Sequence, residues 1–247
     1  MASWSAGAPL IRPGLQRRPA RPPPQGRARK KMNALPERVS LEAFAALWRR
    51  LGARPDPGPT HTVLCNAYGE PHRHYHTLAH VARVLTVFDG IRHCLRDPSA
   101  AEMALWLHDL VYDTHAGDSE AQSAIQARIL LRHAGVKPEV ITHVADLILA
   151  TDHAAILEDL DDPDARYVMD ADLAILGASD ADFLRYERQI REEYHWVPEA
   201  TYRLRRAAIL RRFLERPFIY HTPQFRHLES RARLNLAFAL TRLQTPA

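Results

Sequence analysis

Cysteine is nearly missing from this chain: Cys65 and Cys94 are the only two in 247 residues. Two thiols cannot build a disulfide framework or a four-cysteine zinc ribbon, and they suit a reducing, cytoplasmic compartment. Glycine is scarce as well, with ten in all and seven of them in residues 32–247. No window alternates apolar and polar residues with β-branched enrichment, which argues against a β-rich fold. No run of about 18 apolar residues occurs, so no membrane-spanning helix is expected. No internal repeat is visible.

Acidic residues are missing from one place in particular. The net charge of +4 invites a nucleic-acid reading, but residues 1–31 hold eight of the 33 basic residues and no acid. Residues 32–247 therefore carry 25 basic against 29 acidic side chains, a net of −4. The same stretch has six of the 18 prolines, which forbid an amphipathic targeting helix, and it lacks the apolar run of a secretory signal. Residues 1–35 are expected to be a disordered tail, with Met32 an alternative start, and 36–247 a single folded domain.

Apolar residues from Ser40 onward recur at helical spacing. Leu41, Phe44, Leu47, Trp48 and Leu51 follow a serine cap and stop at Gly52. Further helices are expected over about 60–68, 77–95, 98–112, 118–134, 138–153, 166–176, 180–194, 199–215 and 223–243, giving an all-α domain of nine or ten helices. Proline at a first turn and glycine just past an end mark several boundaries.

Fourteen histidines are spread unevenly, five of them between His61 and His80. Two apolar helical stretches are also interrupted by charge. In Ala104-Leu105-Trp106-Leu107-His108-Asp109-Leu110 a His-Asp pair intrudes, and in Val168-Met169-Asp170-Ala171-Asp172-Leu173 two carboxylates do. A carboxylate buried alone costs several kcal/mol or takes up a proton. Such groups need a shared counter-charge, which a divalent cation supplies. Neighbouring residues on a helix point about 100° apart, so His108 and Asp109 can reach one ion, with His80 and Asp172 the obvious partners from other helices.

The ordered set His80, then His108-Asp109, then Asp172 resembles the HD superfamily of metal-dependent phosphohydrolases. The stretches Tyr75-His76-Thr77-Leu78-Ala79-His80, Leu107-His108-Asp109-Leu110-Val111-Tyr112-Asp113 and Asp170-Ala171-Asp172-Leu173-Ala174-Ile175-Leu176-Gly177 are similar to one predicted bacterial subfamily. Ile190-Arg191-Glu192-Glu193-Tyr194 and Glu229-Ser230-Arg231-Ala232-Arg233-Leu234-Asn235-Leu236 match it too, so the likeness spans about residues 40–243.

The resemblance implies one metal held by His80, His108, Asp109 and Asp172, with Asp170 supporting from behind. The donor set suits Mn, Fe, Co, Ni, Zn or Mg without choosing among them. It also implies hydrolysis of a phosphate ester of a nucleotide or related small molecule. Glu120, Asp113 and His153 are candidates to accept the proton from water, and Arg73, His76 and Arg191 to hold phosphate oxygens. Where the family pattern has Asn-Glu, this chain has Asp118-Ser119-Glu120, which keeps the glutamate and loses the amide. His115, His133, His143 and His153 lie where relatives with two metals add ligands, and of these His153 fits the pattern.

The bland alternatives are a satisfied His-Asp core pair, packing roles for Tyr75 and Tyr194, surface ion pairs for the arginines, and a solvated face for Arg203 to Arg212. Rival functions are a di-iron oxygenase, which needs two more histidine ligands, a non-catalytic nucleotide sensor, and a nucleic-acid binder using the tail. The expected partner is a small phosphate-bearing molecule, not a membrane or a nucleic acid.

Overall fold

Helix starts in this chain are written in residues that can cap. The computed structural model describes residues 36–152 and 161–244, so the expected tail at 1–35 and His153 both lie outside the described residues. The fold is all-α: ten α-helices and no strand occur among the described residues. Ser40 accepts from the Ala43 amide at 3.2 Å to start α1 (Leu41–Arg50). Asp56 caps α2 (Pro57–Ala67), Thr77 caps α3 (Leu78–Ile91) and Asp97 caps α4 (Pro98–Leu107). Each cap satisfies amides that have no partner within the helix.

The chain continues through α5 (Ser119–His133), α6 (Pro138–Leu149), α7 (Pro163–Asp172), α8 (Asp180–Glu193), α9 (Glu199–Glu215) and α10 (Glu229–Gln244). Gly52 and Gly135 follow α1 and α5 with φ of 73° and 72°, the left-handed turn that glycine adopts without strain.

The centre of the domain is α4. Every residue from Ala100 to Leu107 is buried, and α1, α3, α5, α6 and α7 all pack on it. A helix apolar on all sides has to be central. Its one acid, Glu102, is 1% exposed and meets Arg38, Arg50 and Arg92 at 2.9, 2.6 and 2.6 Å. That network ties the helix to the chain before α1, to the end of α1 and to the turn after α3.

Several expected boundaries move, and two of the moves bear on the site. The fourth helix stops at Leu107 instead of running to Tyr112, with His108 as its cap residue. The helix expected at 166–176 begins at Pro163 and ends at Asp172, after which a 3₁₀ segment covers Leu173–Gly177. The final expected helix likewise divides into a 3₁₀ segment, Pro223–Leu228, and α10. Gly177 is needed for a close approach: a Cβ there would lie 2.6 Å from the Leu228 Cβ.

Candidate metal centre and its cavity

Two of these shifted boundaries place the expected ligand side chains at helix ends. His108 and Asp109 follow the last turn of α4, and Asp172 is the last residue of α7. His80 sits in the first turn of α3. A helix C-terminus carries partial negative charge and disfavours a carboxylate there. Two acids at two such ends, each within 3.5 Å of both His80 Nε2 and His108 Nε2, make this a place where a cation would be favoured.

The four side chains converge. His80 Nε2 lies 3.1 Å from His108 Nε2 and 3.1 Å from Asp172 Oδ1. Asp109 Oδ2 is 2.9 Å from His108 Nε2 and 3.5 Å from His80 Nε2, and Asp172 Oδ1 is 3.5 Å from His108 Nε2. One donor each from His80, His108 and Asp109 lies within 4.8 Å of the others. Ligands about 2.1 Å from one ion stand about 3.0 Å apart at right angles and about 3.4 Å apart at the tetrahedral angle. Each separation that involves a histidine matches that range.

Protonation and orphaned atoms point the same way. His108 Nδ1 faces the Leu105 carbonyl at 3.0 Å. Donating its proton there leaves the Nε2 lone pair directed at the cluster, the arrangement that fixes a metal-binding imidazole. Asp109 Oδ2 is buried and close to an imidazole nitrogen, yet it accepts no hydrogen bond. Burial pushes the His80 ring below its ordinary pKa. For His108 burial acts downward, but Asp109 and Asp172 together raise it well above the ordinary value. Burial would raise Asp109, and the surrounding histidines, His108 foremost, hold it low instead. The donor set fits a divalent ion, whose binding would displace any proton held by the histidines.

Glu193, the last residue of α8, organises the segment leading into α3. Its Oε1 accepts from the amides of His74, Tyr75 and His76 at 2.8, 2.7 and 2.9 Å. Its Oε2 takes His76 Nδ1 at 2.7 Å and the Tyr112 hydroxyl at 2.8 Å. Burial would raise the carboxyl, but these donors push it down to about 2. His76 moves in the complementary direction: burial would lower it, and Asp109 and Glu193 raise it. No role for Glu193 follows from the sequence, although an acid closing a helix is a signal that could have been used.

Beside the cluster lies a cavity of about 400 Å³. Asp172, His76, Tyr75 and Glu120 line it, so two of the expected side chains beyond the ligands, His76 and Glu120, reach it. Others do not. Arg73 is buried, and its guanidinium donates to the carbonyls of Asp109 at 2.6 Å and Leu110 at 3.0 Å and to Glu70. Those bonds pin the turn after α4, so Arg73 positions the site and is not available to hold a phosphate. Arg191 donates to the Tyr194 and Val197 carbonyls and to Glu199, which likewise spends its charge away from the cavity.

Asp113 is exposed, accepts from the His115 amide, and faces an adjoining cleft instead of the cavity. Asp170 does not support Asp172: it is fully buried and accepts from the His221 and Thr222 amides and the Thr222 hydroxyl. The arginine run of α9 is not simply a solvated face, because Arg205, Arg206 and Arg212 all line the cavity.

No protein-family model, curated protein or solved structure matches this chain.

Proposed function

We propose that the protein is a metal-dependent phosphohydrolase of the HD type, which cleaves a phosphate ester of a nucleotide or related small molecule with water. The observation that carries this reading is the clustering of His80, His108 and Asp109 donors at separations suited to one divalent ion, with Asp172 3.1 Å from His80, beside a cavity that also presents cations. A divalent ion held there supplies Lewis acidity and makes water acidic enough to attack at neutral pH.

The chain's own groups would do the rest. His76, paired with Glu193, lines the cavity and can donate to a phosphoryl oxygen. Glu120 lines the same space and is the group to accept the proton released from water. Leu173, Ile175 and Ile190 exclude bulk water around them. Arg73 and Glu193 fix the two segments that carry the ligands.

A phosphate-release panel over nucleotides and sugar phosphates with Mn, Mg, Fe, Co, Ni and Zn tests this, with Asp109→Ala beside the natural protein. Release by the natural protein with at least one metal, and none by the variant, is expected. Equal activity in both would place the chemistry elsewhere. Silence of both across the panel would favour a nucleotide-binding sensor, and two irons per chain would favour an oxygenase.

A further inference from the structure

One face of α9 presents Arg205, Ile209 and Arg212 at helical spacing, and all three line the cavity shared with Asp172 and His76, as does Arg216 just past the end of the helix. The neighbouring Arg206 is already committed, since it bonds Glu187 and the Tyr186 hydroxyl. Arg205 and Arg212 are exposed and make no ion pair or hydrogen bond among the described residues. Two rings separate this arginine face from the metal ligands. The Tyr75 centroid is 4.7 Å from that of His80, the Tyr186 centroid is 4.6 Å from that of Tyr75, and the Arg206 guanidinium lies 5.3 Å over Tyr186. Between the two ends the walls are largely apolar and aromatic, with Ile175, Ile190, Ile209 and Phe213 among them.

A single phosphate bound at the four-donor cluster would leave those two guanidinium groups without anything to hold. A ligand that fills the cavity would bring its organic body against the apolar walls and its other end to α9. Guanidinium forks there recognise phosphate, sulfonate or carboxylate oxygens in pairs.

We propose that the cavity takes a phosphate ester whose organic part carries a second anionic group, held by Arg205 and Arg212. The identity of the reacting end rests on the phosphohydrolase reading; the second anion site rests on α9 alone. It narrows the substrate class to phosphate esters that carry a second, separate anionic group beyond an apolar or aromatic middle, and it makes the arginine face the element that selects among phosphate esters.

Two fluorescent probes separate these ideas: 2-naphthyl phosphate and 6-sulfo-2-naphthyl phosphate, titrated onto the full-length protein with Mn(II) present. They share an aromatic body and a scissile phosphate and differ in the distal sulfonate. The sulfonated probe should bind about tenfold tighter, the effect of one partly exposed charge-assisted contact. In Arg205→Gln/Arg212→Gln the ratio should fall to within twofold of one, and Arg212→Glu should bring it below one. Both side chains are exposed, so melting curves close to those of the natural protein are expected.

A ratio near one in the natural protein, a ratio that survives the double substitution, or no saturable binding of the sulfonated probe would overturn the proposal. Phosphate release is read in the same samples. A preserved tenfold ratio without metal-dependent release supports the second anion site and removes the hydrolase reading. Release without the ratio removes the second site alone.

Discussion

Replacing Glu193 by glutamine keeps the side chain's volume and removes its charge at a point where five donors meet. The amide oxygen can still accept from the amides of His74, Tyr75 and His76. The amide nitrogen cannot accept from His76 Nδ1 or the Tyr112 hydroxyl. A carboxyl that ionises near 2 in the fold, against 4.5 for an ordinary glutamate, contributes roughly 3 kcal/mol at neutral pH, at about 1.4 kcal/mol for each pH unit between the two values. For a domain of this size that is about 6–12 °C in Tm.

The pH dependence has a definite sign. Because the folded value lies below the unfolded one, the contribution is complete above about 4.5 and is lost as pH falls towards 2. His76 acts in the opposite sense: its folded value is raised, so its share is complete below about 6.5 and fades as pH rises through the folded value. The gap between natural protein and variant should therefore be widest between about pH 5 and 6.5 and close under acid. Thermal and urea melts across that range measure it. A Glu193→Gln protein within about 0.5 kcal/mol of the natural one at pH 6 would refute the reasoning, as would a gap that persists undiminished near pH 2.

Four further outcomes are expected. Arg73→Met should cost about 3 kcal/mol by stranding the Asp109 and Leu110 carbonyls, and it should weaken cation binding in calorimetry; lysine should rescue only part of this, since it lacks the fork. Glu102→Ala should cost about 3–5 kcal/mol in urea unfolding, because three arginines lose the buried carboxylate they share. Calorimetry with Mn(II) should find about one ion per chain with proton release, and Asp109→Ala should abolish both signals. Gly177→Ala should cost about 1–3 kcal/mol in thermal melts, because the added methyl meets Leu228.

Much of the candidate site is legible in sequence because its ligands interrupt apolar patterns. His108-Asp109 and Asp172 stand out against α4 and α7 for that reason, and the Asp-x-Asp pair also shows its limit. Two residues apart on a helix, Asp170 and Asp172 point to different faces, and only the packed neighbours decide that one joins the cluster and the other anchors the segment at His221. Arg73 and Arg191 carry the right charge for a phosphate, yet the fold spends each on backbone carbonyls. Arg205 and Arg212 read as ordinary surface charge until α9 is laid along the cavity.

Composition and spacing alone determine that this chain is helical, where most of its helices start, and that three acids sit where no isolated acid belongs. Those properties are local: caps, periodicity and the cost of burying charge act within a few residues. Tertiary structure alone decides that α4 stops just before His108-Asp109 and α7 at Asp172, that Glu193 gathers three amides from residues 117 to 119 positions away, and which arginines remain uncommitted. A side chain's partners are set by what other elements bring within about 3 Å, and that distance is not written in any single stretch of sequence.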